Sequence, residues 1–301
     1  MTVPDLVDAL RCPACGAPAL ADDEFCESCG TPIGRRRAAP RDHVEVDAGT
    51  AAGVSDRGVR HERNEDALYV AAAGDWAVAV VCDGVSRSAA PLVASQVAAQ
   101  VAGDRLSDLV QRARDGDIPM TAEAMAETLA SSGTAVADVP WMEASDRVGP
   151  SCTVVAAVWD GSVVTLGWAG DSRAYWVGAE GVRLLTTDHS WAQEQVASGA
   201  MTVAAAELDP RAHAITRWLG DDAPDPADTT TWAPDGPGVL VLCTDGLWNV
   251  LEDPAELVRL LEAADDRAPL VRARRLASTA LGRGGPDNVT VAVVAIEPRE
   301  G

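Results

Sequence analysis

The stretch TVVAAVWDGSVVTLGWAGDSRAYWVGAEG, residues 153–181, carries three apolar or β-branched runs separated by short breaks. Runs of this kind bounded by Gly and Asp read as strands. The breaks WDGSV (159–163) and VGAEG (177–181) have room only for a reversal, so the strands on either side are expected to pair antiparallel.

Working outward, WAVAVVCD (76–83), GVLVLCTD (238–245) and NVTVAVVAIE (288–297) have the same strand character. Helical spacing of apolar residues predicts helices in 88–113, in 121–139 and in the single run 253–281, with Asp253 as an N-cap before Pro254 and Gly282 as a stop. Strands grouped together with helices between the groups predict an α+β layered domain. With 301 residues, 47% of them apolar, the chain can hold one large domain and a small appendage. Neither G-x-G-x-x-G nor G-x-x-x-x-G-K-[ST] occurs, which leaves nucleotide binding without a motif.

The 46 Asp and Glu against 24 basic residues, all arginine, give a formal charge of −22 and disfavour nucleic acid as a partner. Arginine without lysine, beside abundant Ala, Gly and Val, is associated with GC-rich bacterial coding. No run reaches the ~18 apolar residues of a membrane span. The first residues, MTVPDLVDALRCPAC, lack the pattern of a secretory signal, so a cytoplasmic location is expected.

In a reducing compartment clustered thiols point to metal. Cys12, Cys15, Cys26 and Cys29 form the knuckles CPACG and CESCG, which suit one tetrahedral Zn²⁺. So short a segment lacks a core, and the metal would supply its folding energy. Residues 11–32 resemble the zinc-ribbon family, whose members bind partners or act as spacers. Residues 33–49, rich in Pro, Gly and charge, read as a linker, and 50–298 as the main domain. Cys82, Cys152 and Cys243 sit singly in or beside strand-like runs and are expected in the core.

Two predicted strands end in Asp-Gly, at Asp83-Gly84 and Asp245-Gly246. An isolated Asp-Gly is usually a turn. Here neither pair is followed by an answering strand: after Asp83 a helix is expected, with Ser86 or Ser88 as its cap, and after Asp245 comes LWNVLED. Each Asp then stands at a rigid strand end, where its carboxylate can be aimed into a shared cleft. Asp287 and the pair Glu65-Asp66 stand just before two further runs. Several carboxylates without a nearby His or Cys suit Mg²⁺ or Mn²⁺.

Eight segments in order, VSDRGVRHERNEDALYV (54–70), VCDGVSRS (81–88), GPSCTVVAAV (149–158), GWAGDSRAYWV (167–177), LTTDHSWAQEQVASGAM (185–201), AITRWLG (214–220), LCTDGLWNVL (242–251) and GPDNVTVAVV (285–294), resemble the signature segments of PP2C-type metal-dependent protein phosphatases. The resemblance implies a β-sandwich of two antiparallel sheets flanked by helices, in αββα layers, with two Mn²⁺ or Mg²⁺ ions at one end. Carried over by position, Asp83 bridges the ions, Asp245 and Asp287 complete the first, and the Gly84 carbonyl with Glu65 through water holds the second, supported by Asp66. Asp146 matches the place of a third, weaker ion. The implied chemistry is hydrolysis of phosphoserine or phosphothreonine by a metal-bridging hydroxide, on phosphorylated proteins and against a cytoplasmic protein kinase.

Asp171, Ser172, Asp188 and His189 also match family positions and are expected to hold strand ends beside the cleft. Residues 190–214 resemble the flap of bacterial members. Two departures stand out. Val85-Ser86-Arg87 replaces the usual glycine-rich or histidine-bearing turn, and His61 stands where a phosphate-gripping arginine is common, with Arg60 and Arg63 nearby. His61 or Arg60 is therefore expected to contact the phosphate. The changed turn leaves open a catalytically weak, partner-binding relative, and the ribbon an adaptor with the body as scaffold. Three retained aspartates argue against both, since a scaffold gains nothing from burying unpaired charge.

Overall fold

The structure, a computed structural model, describes residues 42–116, 118–142, 148–224, 226–251, 253–263 and 267–297, together with 10–11 and 18–19. The chain divides into two units, residues 1–41 and 42–301. In the first, β1 (Leu10–Arg11) and β2 (Pro18–Ala19) pair antiparallel. The four ribbon cysteines, Cys12, Cys15, Cys26 and Cys29, lie outside the described residues.

The second unit runs β3 (His43–Asp47), β4 (Ala51–Asp56), β5 (Asp66–Ala73), β6 (Trp76–Asp83), α1 (Pro91–Arg114), α2 (Ala122–Ala137), β7 (Ser151–Cys152), β8 (Val154–Trp159), β9 (Val164–Ala169), β10 (Arg173–Gly178) and β11 (Gly181–Leu184). It continues with α3 (Trp191–Ala197), α4 (Val203–Glu207), β12 (Leu219–Gly220), β13 (Asp228–Trp232), β14 (Gly238–Cys243), α5 (Asp245–Trp248), α6 (Glu256–Glu262), α7 (Pro269–Gly282) and β15 (Val289–Ile296). One sheet has six strands in the order β11-β10-β14-β15-β4-β3 and the other five, β13-β9-β8-β6-β5. Neighbouring strands in both sheets pair antiparallel, and the expected reversals join β8 to β9 and β10 to β11.

The two-residue period of β6 shows how the layers form. Ala77, Ala79 and Val81 face the second sheet, where Ala174, Leu240, Leu242, Ala292 and Val294 meet them. Val78, Val80 and Cys82 face the other way, onto Ala94, Ala98, Ala102 and Leu106 of α1 and Met125 and Leu129 of α2. The outer face of the six-stranded sheet packs Val241, Val291 and Val293 against Leu257, Leu261, Ala273 and Leu276 of α6 and α7. The result is the expected helix–sheet–sheet–helix sandwich. Cys82, Cys152 and Cys243 are buried free thiols in these cores.

Four local expectations need correction. Residues 43–47, inside the stretch read as linker, form an edge strand against β4, with His43 opposite Asp56 and Asp47 opposite Ala52. Neither Ser86 nor Ser88 caps α1. The helix begins at Pro91 after Ala90 in the left-handed region, and the buried Ser88 Oγ donates instead to the Ser151 carbonyl at 3.4 Å. The run 253–281 holds two helices, because Pro269 has no N–H to continue one and opens the other as its first residue. Asp253 is not the N-cap: α6 starts at Glu256 with Ala255 in that place, and Asp253, two residues earlier, accepts from Ala255 N on Oδ1 at 2.9 Å.

Candidate metal centre

Antiparallel pairing brings chain positions far apart in sequence to one end of the sandwich. Asp83 ends β6 directly opposite Asp66, which opens β5. On the other sheet Asp245 lies two residues beyond β14, and Asp287 two residues before its neighbour β15. Asp171 lies between the end of β9 and the start of β10, and Arg173 pairs with Cys243 at that same edge.

Backbone and hydroxyl bonds fix this end. Thr244 is central: its N–H donates to the Thr290 carbonyl at 3.1 Å, its Oγ1 accepts from Thr290 N at 3.0 Å, and its hydroxyl donates to Asp66 Oδ2 at 2.9 Å. Asn288 ties the 57–65 loop down, with Nδ2 donating to the carbonyls of Arg57 (2.7 Å) and Arg63 (2.9 Å) and Oδ1 accepting from Glu65 N at 2.7 Å. The Glu65 carbonyl receives Gly84 N at 3.1 Å and the Ser95 hydroxyl at 2.5 Å. Thr153 locks Asp83, donating its N–H to the Asp83 carbonyl at 2.8 Å and accepting from Asp83 N on Oγ1 at 3.2 Å.

The electrostatics are one-sided. Burial pushes the Asp66 carboxyl up to about 7, against the opposing pull of the Thr290 and Thr244 hydroxyls. Burial also raises Asp83 well above the usual carboxylate range, helped by the charges of Asp66, Asp245, Asp171 and Asp287. Asp245 is raised by burial and then by Asp171, Asp287 and Asp66. Asp171 rises to about 6 through burial and Asp188. The nearby guanidinium of Arg173 is already engaged: Nε and Nη2 grip Asp188 at 2.9 and 2.6 Å, and the group lies 3.6 Å over the Trp248 ring.

Among the described residues no three acidic, histidine or cysteine side chains are drawn in closely enough to cage an ion by themselves. The donor chemistry still fits hard divalent cations. The donors are oxygens, burial raises Asp66, Asp83 and Asp245, and the Oδ1 atom of Asp66, a residue 4% exposed, is buried without a hydrogen-bond partner.

Of the residues carried over by position, Asp83, Asp245, Asp287, Glu65, Asp66 and the Gly84 backbone meet at this end. Asp146 lies outside the described residues. His61 contacts Asp287 rather than open cleft, with Nε2 3.1 Å from Asp287 Oδ1, and its carbonyl accepts from Arg57 Nη1 at 2.7 Å. Arg60 and Arg63 are exposed. Asp171 shares the charge of the centre in addition to the strand-end role expected for it, and Thr244, Thr153 and Asn288 are additions that single-residue reading missed. The motifs GPSCT, LCTDG and PDN that contain them were their only signal.

Residues 190–214 form two short helices, α3 and α4, whose neck closes through Ser190 opposite Ile215 and Trp191 N on the Ala214 carbonyl at 2.8 Å. Below them lies a cavity of about 450 Å³ lined by Arg173, Asp188, Gln193, Val196, His213 and Trp248.

The family model for protein phosphatase 2C matches residues 56–281. The chain belongs to the protein phosphatase 2C family. A zinc-ribbon family model matches residues 9–33. The serine/threonine protein phosphatase PstP of Mycobacterium tuberculosis is 32% identical over 245 residues, 81% of this chain but 44% of PstP, so the chain spans less than half of that relative's length. The serine/threonine phosphatase stp of Listeria innocua is 29% identical over 244 residues, 80% of this chain and 93% of the relative. The crystal structure of the PstP catalytic domain in complex with two manganese ions superposes with a TM-score of 0.62 at 27% identity, covering 82% of this chain and 98% of that one. The protein phosphatase 2C match thus covers residues 56–281, within a sandwich whose strands run from His43 to Ile296.

Proposed function

We propose that this chain is a metal-dependent protein phosphatase that hydrolyses phosphoserine and phosphothreonine in proteins, opposing a cytoplasmic protein kinase. The carrying observation is the carboxylate centre itself, whose negative charges gather at one end of the sandwich around the unpartnered Oδ1 of Asp66. Asp83, Asp245 and Asp287 would hold one Mn²⁺ or Mg²⁺, and Asp83 with the Gly84 carbonyl and Glu65 the other, with Asp66 behind them. Bound there, such ions activate water for attack on phosphorus and neutralise the phosphoryl oxygens. Asp146 would serve a third, weaker ion. No helix among the described residues is long and apolar enough to cross a membrane.

The phosphate contact falls to His61 and Arg60. His61 is held against Asp287, so it meets a phosphate only beside the ions, while the exposed Arg60 is free to reach one from outside. Arg60→Ala should raise KM roughly tenfold or more, the size of one charge-assisted hydrogen bond, and leave Mn²⁺ affinity unchanged. Steady-state kinetics beside a Mn²⁺ titration would check this. An unchanged KM would leave His61 as the contact.

The ribbon would bind one Zn²⁺ through Cys12, Cys15, Cys26 and Cys29 and dock a partner. Because unit 42–301 contains both sheets and the whole carboxylate centre, deletion of residues 1–41 should leave hydrolysis of a small aryl phosphate unchanged. A truncated protein that is folded but inactive would assign the ribbon a part in the active centre.

The function itself is tested by hydrolysis of an aryl phosphate and of phosphoserine and phosphothreonine peptides with Mn²⁺ and with EDTA. Turnover should require Mn²⁺ and return when it is restored. Full activity in EDTA would overturn the reading.

A further inference from the structure

At the end of β9 the chain leaves the five-stranded sheet and enters the six-stranded one at β10, and it crosses in three residues, Gly170, Asp171 and Ser172. Gly170 has φ +103°, and a Cβ there would stand 2.6 Å from Cβ and Cγ2 of Thr153, so the crossing requires glycine. Trp248 Nε1 donates to the Asp171 carbonyl at 3.0 Å, and the Ser172 and Thr153 hydroxyls are 2.8 Å apart. Since Thr153 also locks Asp83, the crossing is one hydroxyl removed from that aspartate.

His189 holds the crossing from its other side. Its Nδ1 accepts from Gly170 N at 3.1 Å, and its own N–H donates to the Gly170 carbonyl at 2.9 Å. An accepting Nδ1 leaves the neutral ring's proton on Nε2, which faces Asp228 Oδ2 at 3.2 Å. Arg217 Nη1 holds the second Asp228 oxygen at 2.7 Å, and the Trp168 ring lies parallel to the imidazole at 6.2 Å. The His189 carbonyl accepts from Thr216 N at 2.8 Å, next to the Ser190–Ile215 neck of the flap. One residue, 7% exposed, therefore fixes both the crossing and the flap neck.

We infer that Asp171 is a working carboxylate of the cation centre on its Asp245 side, and that His189 is its positioning residue, joining the crossing to the flap neck. The inference rests on the proposed metal centre. The crossing itself does not need a charge at 171, since its bond to Trp248 uses the Asp171 carbonyl, which asparagine would also offer. Asp171 is 8% exposed, and the Trp248 bond to its carbonyl ties it to α5, the helix that Asp245 opens. The buried, unpartnered Asp66 Oδ1 points to a cation as the group these charges await.

The test uses the full chain, with Mn²⁺ alone as probe, read by calorimetric titration and by melting in EDTA and in Mn²⁺. Asp171→Asn should melt higher than wild type in EDTA, gain less from Mn²⁺, and bind Mn²⁺ about tenfold more weakly or worse. His189→Ala should weaken Mn²⁺ in the same direction, and His189→Gln, whose amide oxygen can accept from Gly170 N, should recover part of it. The double variant Asp171→Asn/His189→Ala should bind no more weakly than Asp171→Asn alone.

Wild-type Mn²⁺ affinity in Asp171→Asn, or a lower melting point in EDTA with an unchanged Mn²⁺ gain, would overturn the inference and leave the proposed function standing. Additive losses in the double variant would remove His189 as the positioning residue. Should the His189 variants not fold, Asp228→Asn, which keeps an acceptor and drops the charge, takes their place in the same cycle. A wild type that shows no Mn²⁺ stabilisation would overturn the inference and the metal centre together.

Discussion

Asp83→Asn should remove nearly all turnover and leave the sandwich intact. The substitution keeps both backbone bonds to Thr153, at 2.8 and 3.2 Å, so strand β6 has no cause to move. What it removes is one of several buried carboxylates, raised by burial and by its neighbours, whose charge only a proton or a cation can neutralise. Two outcomes follow, with opposite signs. Without metal, the variant should melt higher than wild type, because a like charge has left the acidic end. With Mn²⁺, kcat/KM on an aryl phosphate should fall by about a thousandfold, the equivalent of the several kcal/mol a bound metal contributes to the transition state. The measurement is a paired one: melting in EDTA, then kinetics in Mn²⁺. A variant within about tenfold of wild type would show that Asp83 lies outside the reacting site.

The same residue shows why the centre was legible before the fold was known. An Asp-Gly after an apolar run that is not followed by a returning strand is a local signal, visible in one window at 83–84 and again at 245–246. Alternation in 76–83 and the two short reversals in 153–181 were equally local, and with the family resemblance they carried the sandwich. Edge strand β3 was passed over within the Pro- and Arg-rich stretch around it. HVEVD alternates polar and apolar residues, and Val44 and Val46 are its half-buried positions, but five residues are a short signal. The supporting residues of the centre were hidden for a different reason. Thr244 reaches Asp66 across 178 residues, and Asn288 reaches Glu65 across 223, so neither bond has any trace in a local window. Asp171 reads as a strand-end turn in sequence, and only the crossing between sheets sets its backbone against α5, which Asp245 opens.

The second large effect concerns the glycine rather than the acid of the second Asp-Gly. A Cβ on Gly246 would stand 1.8 Å from the Asn288 carbonyl oxygen and 2.8 Å from its carbon. Both are backbone atoms, so no side chain can swing away. Relief requires α5 and the segment before β15 to part, and that segment carries Asp287 and the Asn288 clamp on the 57–65 loop. Gly246→Ala should therefore cost about 3 kcal/mol or more, at or beyond the upper end for overpacking. For a domain of this size that is a fall in Tm of roughly 6–12 °C. The loss should be accompanied by weaker Mn²⁺ binding, since Asp245 and Asp287 are pushed apart by the same movement. Gly236→Ala is the control. No atom lies within 4 Å of a Cβ at Gly236, and the expected change is within about 0.5 kcal/mol. Thermal melting of both variants, with and without Mn²⁺, decides the matter: a Gly246→Ala protein as stable as Gly236→Ala would mean that this close approach does not hold the two aspartates together.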